Sequence, residues 1–70
     1  MSTFSMKSML EDIQETTNKL IEILSKIEAG ELSAKDSLRI ESEFIIGAFY
    51  IRMQTNLIQK FTTDFVDNIK

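Results

Sequence analysis

Only one position in this chain is well suited to stop a helix, and it falls at residue 30. The 70-residue sequence has no proline and two glycines, Gly30 and Gly47. Apolar residues recur at helical spacing on both sides of Gly30. Glycine adopts the left-handed conformation that ends a helix at no steric cost, so it is the commonest residue just past a helical segment. With so few breakers, two long helices are the default expectation.

The spacing predicts a first helix over residues 5–29, after a Ser/Thr-rich start expected to be mobile over residues 1–5. With Met6 at heptad position a, Ile13, Leu20 and Ile27 also fall at a, Met9 and Ile23 at d, and Leu10 and Leu24 at e. Thr16 and Thr17 interrupt the stripe for one heptad. Such a one-faced helix needs a neighbour. The opposite face carries Lys7 with Glu11, Glu15 with Lys19, and Glu22 with Lys26 at i,i+4 spacing, which reads as a solvated surface. The turn is predicted over residues 30–33. Ser33 reads as an N-cap, with Asp36 three residues on in a near match to the capping box. A second helix follows over residues 34–68, about 50 Å long if straight. The short link makes the helices antiparallel neighbours. The fold class is therefore all-α, a two-helix hairpin with the longer helix second.

Residues 44–53, FIIGAFYIRM, exceed what a hairpin can hide. Eight of these ten are apolar or aromatic, and they surround the helix rather than striping it. At about 100° per residue, Phe44 and Phe49 project some 140° apart. One partner helix covers one of those directions, and something else must cover the other. Gly47 beside Ala48 is read as a point of close helix approach rather than a kink. The expected interface comprises Phe44, Ile45, Ile46, Gly47, Ala48, Phe49, Tyr50 and Ile51, continued by Leu57, Ile58, Phe61, Phe65, Val66 and Ile69. A polar series, Arg52, Asn56, Gln59, Thr63, Asp67 and Lys70, runs along one face of the same helix. It reads either as a plain solvated face or as the hydrophilic wall of a conduit or subunit seam.

A chain this short buries only about 60% of its unfolded surface, and such domains usually lean on a staple or a partner. The sequence has no cysteine and no histidine. Disulfides, thiolate sites and the commonest zinc ligand and general base are thus unavailable, which favours oligomerisation. Net charge is −3, and no basic stripe exists, so neither nucleic acid nor an anionic membrane surface is an expected partner. The longest apolar run, residues 44–51, is far short of the roughly 20 residues a span needs. The start, MSTFSMKS, lacks the pattern of a secretory signal. Glu11, Asp12 and Glu15 lie within about one turn but lack the His, Cys or loop that would make them a cation site. No serine or threonine has a histidine base, and no glycine-rich phosphate loop is present. No enzyme activity and no cofactor are expected.

The last third, FYIRMQTNLIQKFTTDFVDNIK, resembles the C-terminal helix of the needle-filament subunits of bacterial type III secretion systems. The shared pattern is an aromatic and an arginine, then polar Asn, Gln and Thr, then Leu57 and Ile58, Phe61, Phe65 and Val66, and Ile69, ending on Asn68, Ile69 and Lys70. LSAKDSLRI resembles the lead-in to this helix in the related inner-rod subunits. The family's proline-containing turn is replaced here by EAGELS. The resemblance implies a subunit that polymerises into a hollow helical tube passing unfolded effector proteins. Arg52, Asn56, Gln59, Thr63, Asp67 and Lys70 would then line the channel. It further implies copies of itself, the base and tip proteins of the apparatus and a cytosolic chaperone as partners. Export from the cytoplasm to the bacterial surface without a cleaved signal peptide would follow. The rival expectations are an inner-rod subunit of the same apparatus, and a regulatory or chaperone-type binding module that dimerises into a closed four-helix bundle. A third, a membrane-active amphipathic peptide, is weakened by the acidic charge.

Overall fold

The computed structural model describes the backbone of residues 3–69, and the side chains of those residues other than Thr3, Phe4 and Phe65. Two helices account for nearly all of it. The first, α1, spans Thr3–Glu28. A 3-10 turn, Ala34–Asp36, leads directly into α2, Ser37–Ile69. Of the start expected to be mobile, Met1 and Ser2 lie outside the described residues, and Thr3 to Ser5 form the first turn of α1. The second helix is bent. It contains two features of the kind that bend helices: Gly47 at mid-length, and Thr62, whose hydroxyl donates to the Ile58 carbonyl at 2.6 Å.

The turn between the helices is built from the signals its sequence carries. Gly30 has φ +73°. Its N–H donates to the Ile27 carbonyl at 3.0 Å, and Glu31 N–H donates to the Lys26 carbonyl at 2.9 Å. These are the paired bonds of a Schellman motif, which satisfy carbonyls left open at the end of α1. On the far side, Ser33 N–H donates to Asp36 Oδ2 at 2.9 Å, and Asp36 N–H donates to the Ser33 carbonyl at 2.9 Å. That reciprocal pair closes a 3-10 turn, so the α-helix starts at Ser37, three residues later than the capping pattern predicts. Arg39 sits 3.8 Å from Asp36 and 3.9 Å from Glu43.

The helices pack along the predicted seam of α1. Met6, Met9, Ile13, Thr16 and Leu20 are half-buried and Ile23 is buried, whereas Leu10 and Leu24 at position e, and Ile27 at the last position a, are exposed. Gly47 is a point of close approach. A β-carbon built there would lie 3.1 Å from a δ-methyl of Leu20. Glycine at this position therefore lets Leu20 pack tightly against α2. The molecule is a rod of 52 × 17 × 13 Å, too thin to enclose a dry interior. Among the described residues, Ile23, at 8% exposure, is the one buried hydrophobic side chain. Of the charge pairs predicted on the outer face of α1, Glu22 and Lys26 meet at 3.4 Å.

Candidate functional surface

The apolar jacket of α2 is divided by the packing of α1. Phe44, Tyr50, Ile51, Leu57, Ile58 and Phe61 are half-buried and Gly47 is buried. Ile45, Ile46 and Phe49 remain 61–67% exposed, and Ala48 is exposed as well. Val66 and Ile69, near the end of α2, are also exposed. The side chain of Phe65 lies outside the described residues, as does Lys70.

The outward residues form a line. At about 100° per residue, positions seven apart on a helix point almost the same way. Leu38, Ile45, Arg52, Gln59 and Val66 make one such series, and Ser42, Phe49, Asn56 and Thr63 make the adjoining one. Leu38 is 80% exposed. The outer face of α2 is thus mostly apolar through Phe49, with Ser42 between, and mostly polar from Arg52 onward, with Met53 and Val66 the exceptions. Arg52, Asn56, Gln59, Thr63 and Asp67 are all exposed. The predicted interface and the predicted channel wall are therefore partly two lengths of the same face. Two shallow grooves mark it. One, of about 270 Å³, has walls that include Leu38, Glu41, Ser42 and Ile45. The other, of about 220 Å³, is lined by Phe49, Arg52, Met53 and Asn56.

A polar node crosses the inner seam. Tyr50 OH donates to Asp12 Oδ2 at 3.4 Å, and Gln54 Nε2 donates to Tyr50 OH at 2.9 Å. The other amide atom, Gln54 Oε1, is buried without a partner. The tie is long and incomplete, which limits what it adds to the hairpin. Beside it, a groove of about 270 Å³ between the helices is edged by Lys19, Leu20, Glu43 and Gly47.

Several of these residues escape a reading of the sequence alone. Leu38 sits within a charged opening stretch, and Ile21, 53% exposed on α1, falls outside the heptad stripe. The node joins residues 12 and 50, which only the hairpin register brings together. Among the described residues there is no group of three or more acidic, His or Cys side chains placed to hold a metal ion. Nor is any described helix long and apolar enough to cross a membrane. No protein-family model matches the chain, and no similar curated protein or solved structure was found.

Proposed function

We propose that this chain is a structural subunit that assembles through α2 into a hollow helical filament, as in the needle of a bacterial type III secretion system. The observation that carries the reading is the outer face of α2, bare and mostly apolar through Phe49 and largely polar beyond it. Covering a side chain such as Leu38, Ile45 or Phe49 is worth about 1.5–3 kcal/mol, a large gain for a hairpin with so little interior of its own. A head-to-tail contact that does not close on itself propagates into a filament. In that filament neighbouring copies cover the apolar length. The polar length from Arg52 through Asn56, Gln59, Thr63 and Asp67, ending at Lys70, stays wet and faces the conduit. A mixed polar wall gives a passing unfolded chain no continuous apolar strip to adhere to. The resemblance of residues 49–70 to needle subunits supplies the identity of the tube. Base and tip proteins and a cytosolic chaperone are the partners that go with it.

Negative-stain microscopy of the concentrated protein tests the reading. Filaments are expected. Globular particles at every concentration would sink it, and a fixed small mass by sedimentation would identify a closed bundle instead.

A further inference from the structure

We infer that, before any filament forms, two copies of this chain pair antiparallel through the outer face of α2, each inserting Phe49 into the other's groove beside Ile45. Three observations lead there. First, Leu38, Glu41, Ser42 and Ile45 have the i, i+3, i+4, i+7 spacing of a hole that receives a knob from a facing helix, and they wall a groove of about 270 Å³. Second, the most exposed aromatic of the described residues, Phe49, is 67% exposed one turn along the same face. Third, one edge of the patch carries opposite charges. Glu41 lies between Leu38 and Ile45, and Arg52 follows Phe49. They are eleven residues apart, hence within about 20° of each other and on the same edge of the helix. Both are exposed, and neither joins the ion pairs made by Arg39 with Asp36 and Glu43 or by Lys26 with Glu22.

That arrangement is complementary to itself in one orientation. A two-fold axis across α2 near Ile45 and Ile46 brings Phe49 of the second copy over the groove. The same rotation carries Arg52 of the second copy, on its next turn, to within reach of Glu41, and the symmetric contact repeats the match. A parallel two-fold pairing would put this edge of the two copies on opposite sides of the seam, and Glu41 would not meet Arg52. The two-fold contact is closed, because each copy uses the same patch. It covers the apolar length of the face and holds the subunit short of open-ended growth.

Charge reversal with mixing tests this. The wild-type chain is expected to sediment as a dimer at dilutions where no filament forms. Glu41→Arg places two arginines at each end of the pair, and Arg52→Glu places two glutamates there. Each variant alone should dimerise about tenfold more weakly, since attraction at two exposed pairs becomes repulsion. An equimolar mixture of the two should recover the dimer, now as a mixed pair, because each arginine again meets a glutamate. Both positions are on the surface, and unchanged helix content by circular dichroism checks that the variants fold. A monomeric wild-type chain overturns the pair. So do single variants that dimerise as well as wild type, or a mixture no tighter than its components. Filaments without a dilute dimer would remove the pair and leave the conduit reading standing, while a dimer that never grows would do the reverse.

Discussion

The inner and outer faces of residues 44–53 are both largely apolar but have very different structural specification. Inward, Gly47 lies against Leu20, and Tyr50 reaches Asp12. A small residue and a polar tie fix where one helix sits on the other. Outward, Ile45, Ile46 and Phe49 are more than 60% exposed, with only the rim charges of Glu41 and Arg52 to orient a neighbour. Apolar area alone supplies attraction without direction. Register comes from the few positions where size or charge is wrong for any alternative.

The contrast can be broken most severely from the inside. Ile23→Ala removes the buried anchor of the seam and is expected to cost about 2–3 kcal/mol, the lower part of the usual range because the site is thinly covered. Thermal unfolding followed by circular dichroism reads the loss, and an unchanged midpoint would mean the hairpin is held elsewhere. Gly47→Leu should cost about 1–3 kcal/mol by forcing the helices apart. Gly47→Ala is the control. The Leu20 methyls yield by a few tenths of an ångström, and the better helix propensity of alanine, about 1 kcal/mol, offsets the crowding.

On the outer face the expectation inverts. Phe49→Ser should leave the dilute hairpin within about 0.5 kcal/mol of wild type and abolish association, read by sedimentation. A variant that unfolds would show that Phe49 serves the hairpin itself.

Much of the fold was readable from residues whose chemistry is local. Gly30 announces its left-handed turn, Ser33 and Asp36 their reciprocal bonds, and Met6, Ile13 and Leu20 their shared face, because each depends on neighbours a few positions away. The division of residues 44–53 into covered and bare halves does not. It follows from Leu20 standing opposite Gly47, a register set by the whole hairpin. For the same reason the spacing of Tyr50 shows only an apolar contact, and nothing local marks Gln54 as its partner. Glu41 and Arg52 were visible only as members of a charged stretch and a polar stripe, and their shared edge emerges once the outward direction is known.

The smallest expected effect lies at the turn. The Ser33 N–H bonded to Asp36 holds this carboxyl below its ordinary value of 3.8, with Arg39 adding a weaker attraction. A lowered folded value means that the stabilisation is fully present above 3.8 and is lost as the pH falls through that lowered value. Asp36→Asn, which does not titrate, should therefore lose a small part of the acid dependence of unfolding in that window. Identical acid limbs for the two proteins would show that the turn contributes nothing there.

Two helices joined along one seam leave Ile23 as the one buried hydrophobic side chain among the described residues. The backbone amides therefore sit under at most one layer of covering, and their hydrogen exchange is governed by local helix opening rather than by burial. That makes the outer backbone of α2 a recorder. Any slowing of deuterium uptake between Leu38 and Phe49 beyond that of the free hairpin registers a neighbour lying on that face, turn by turn.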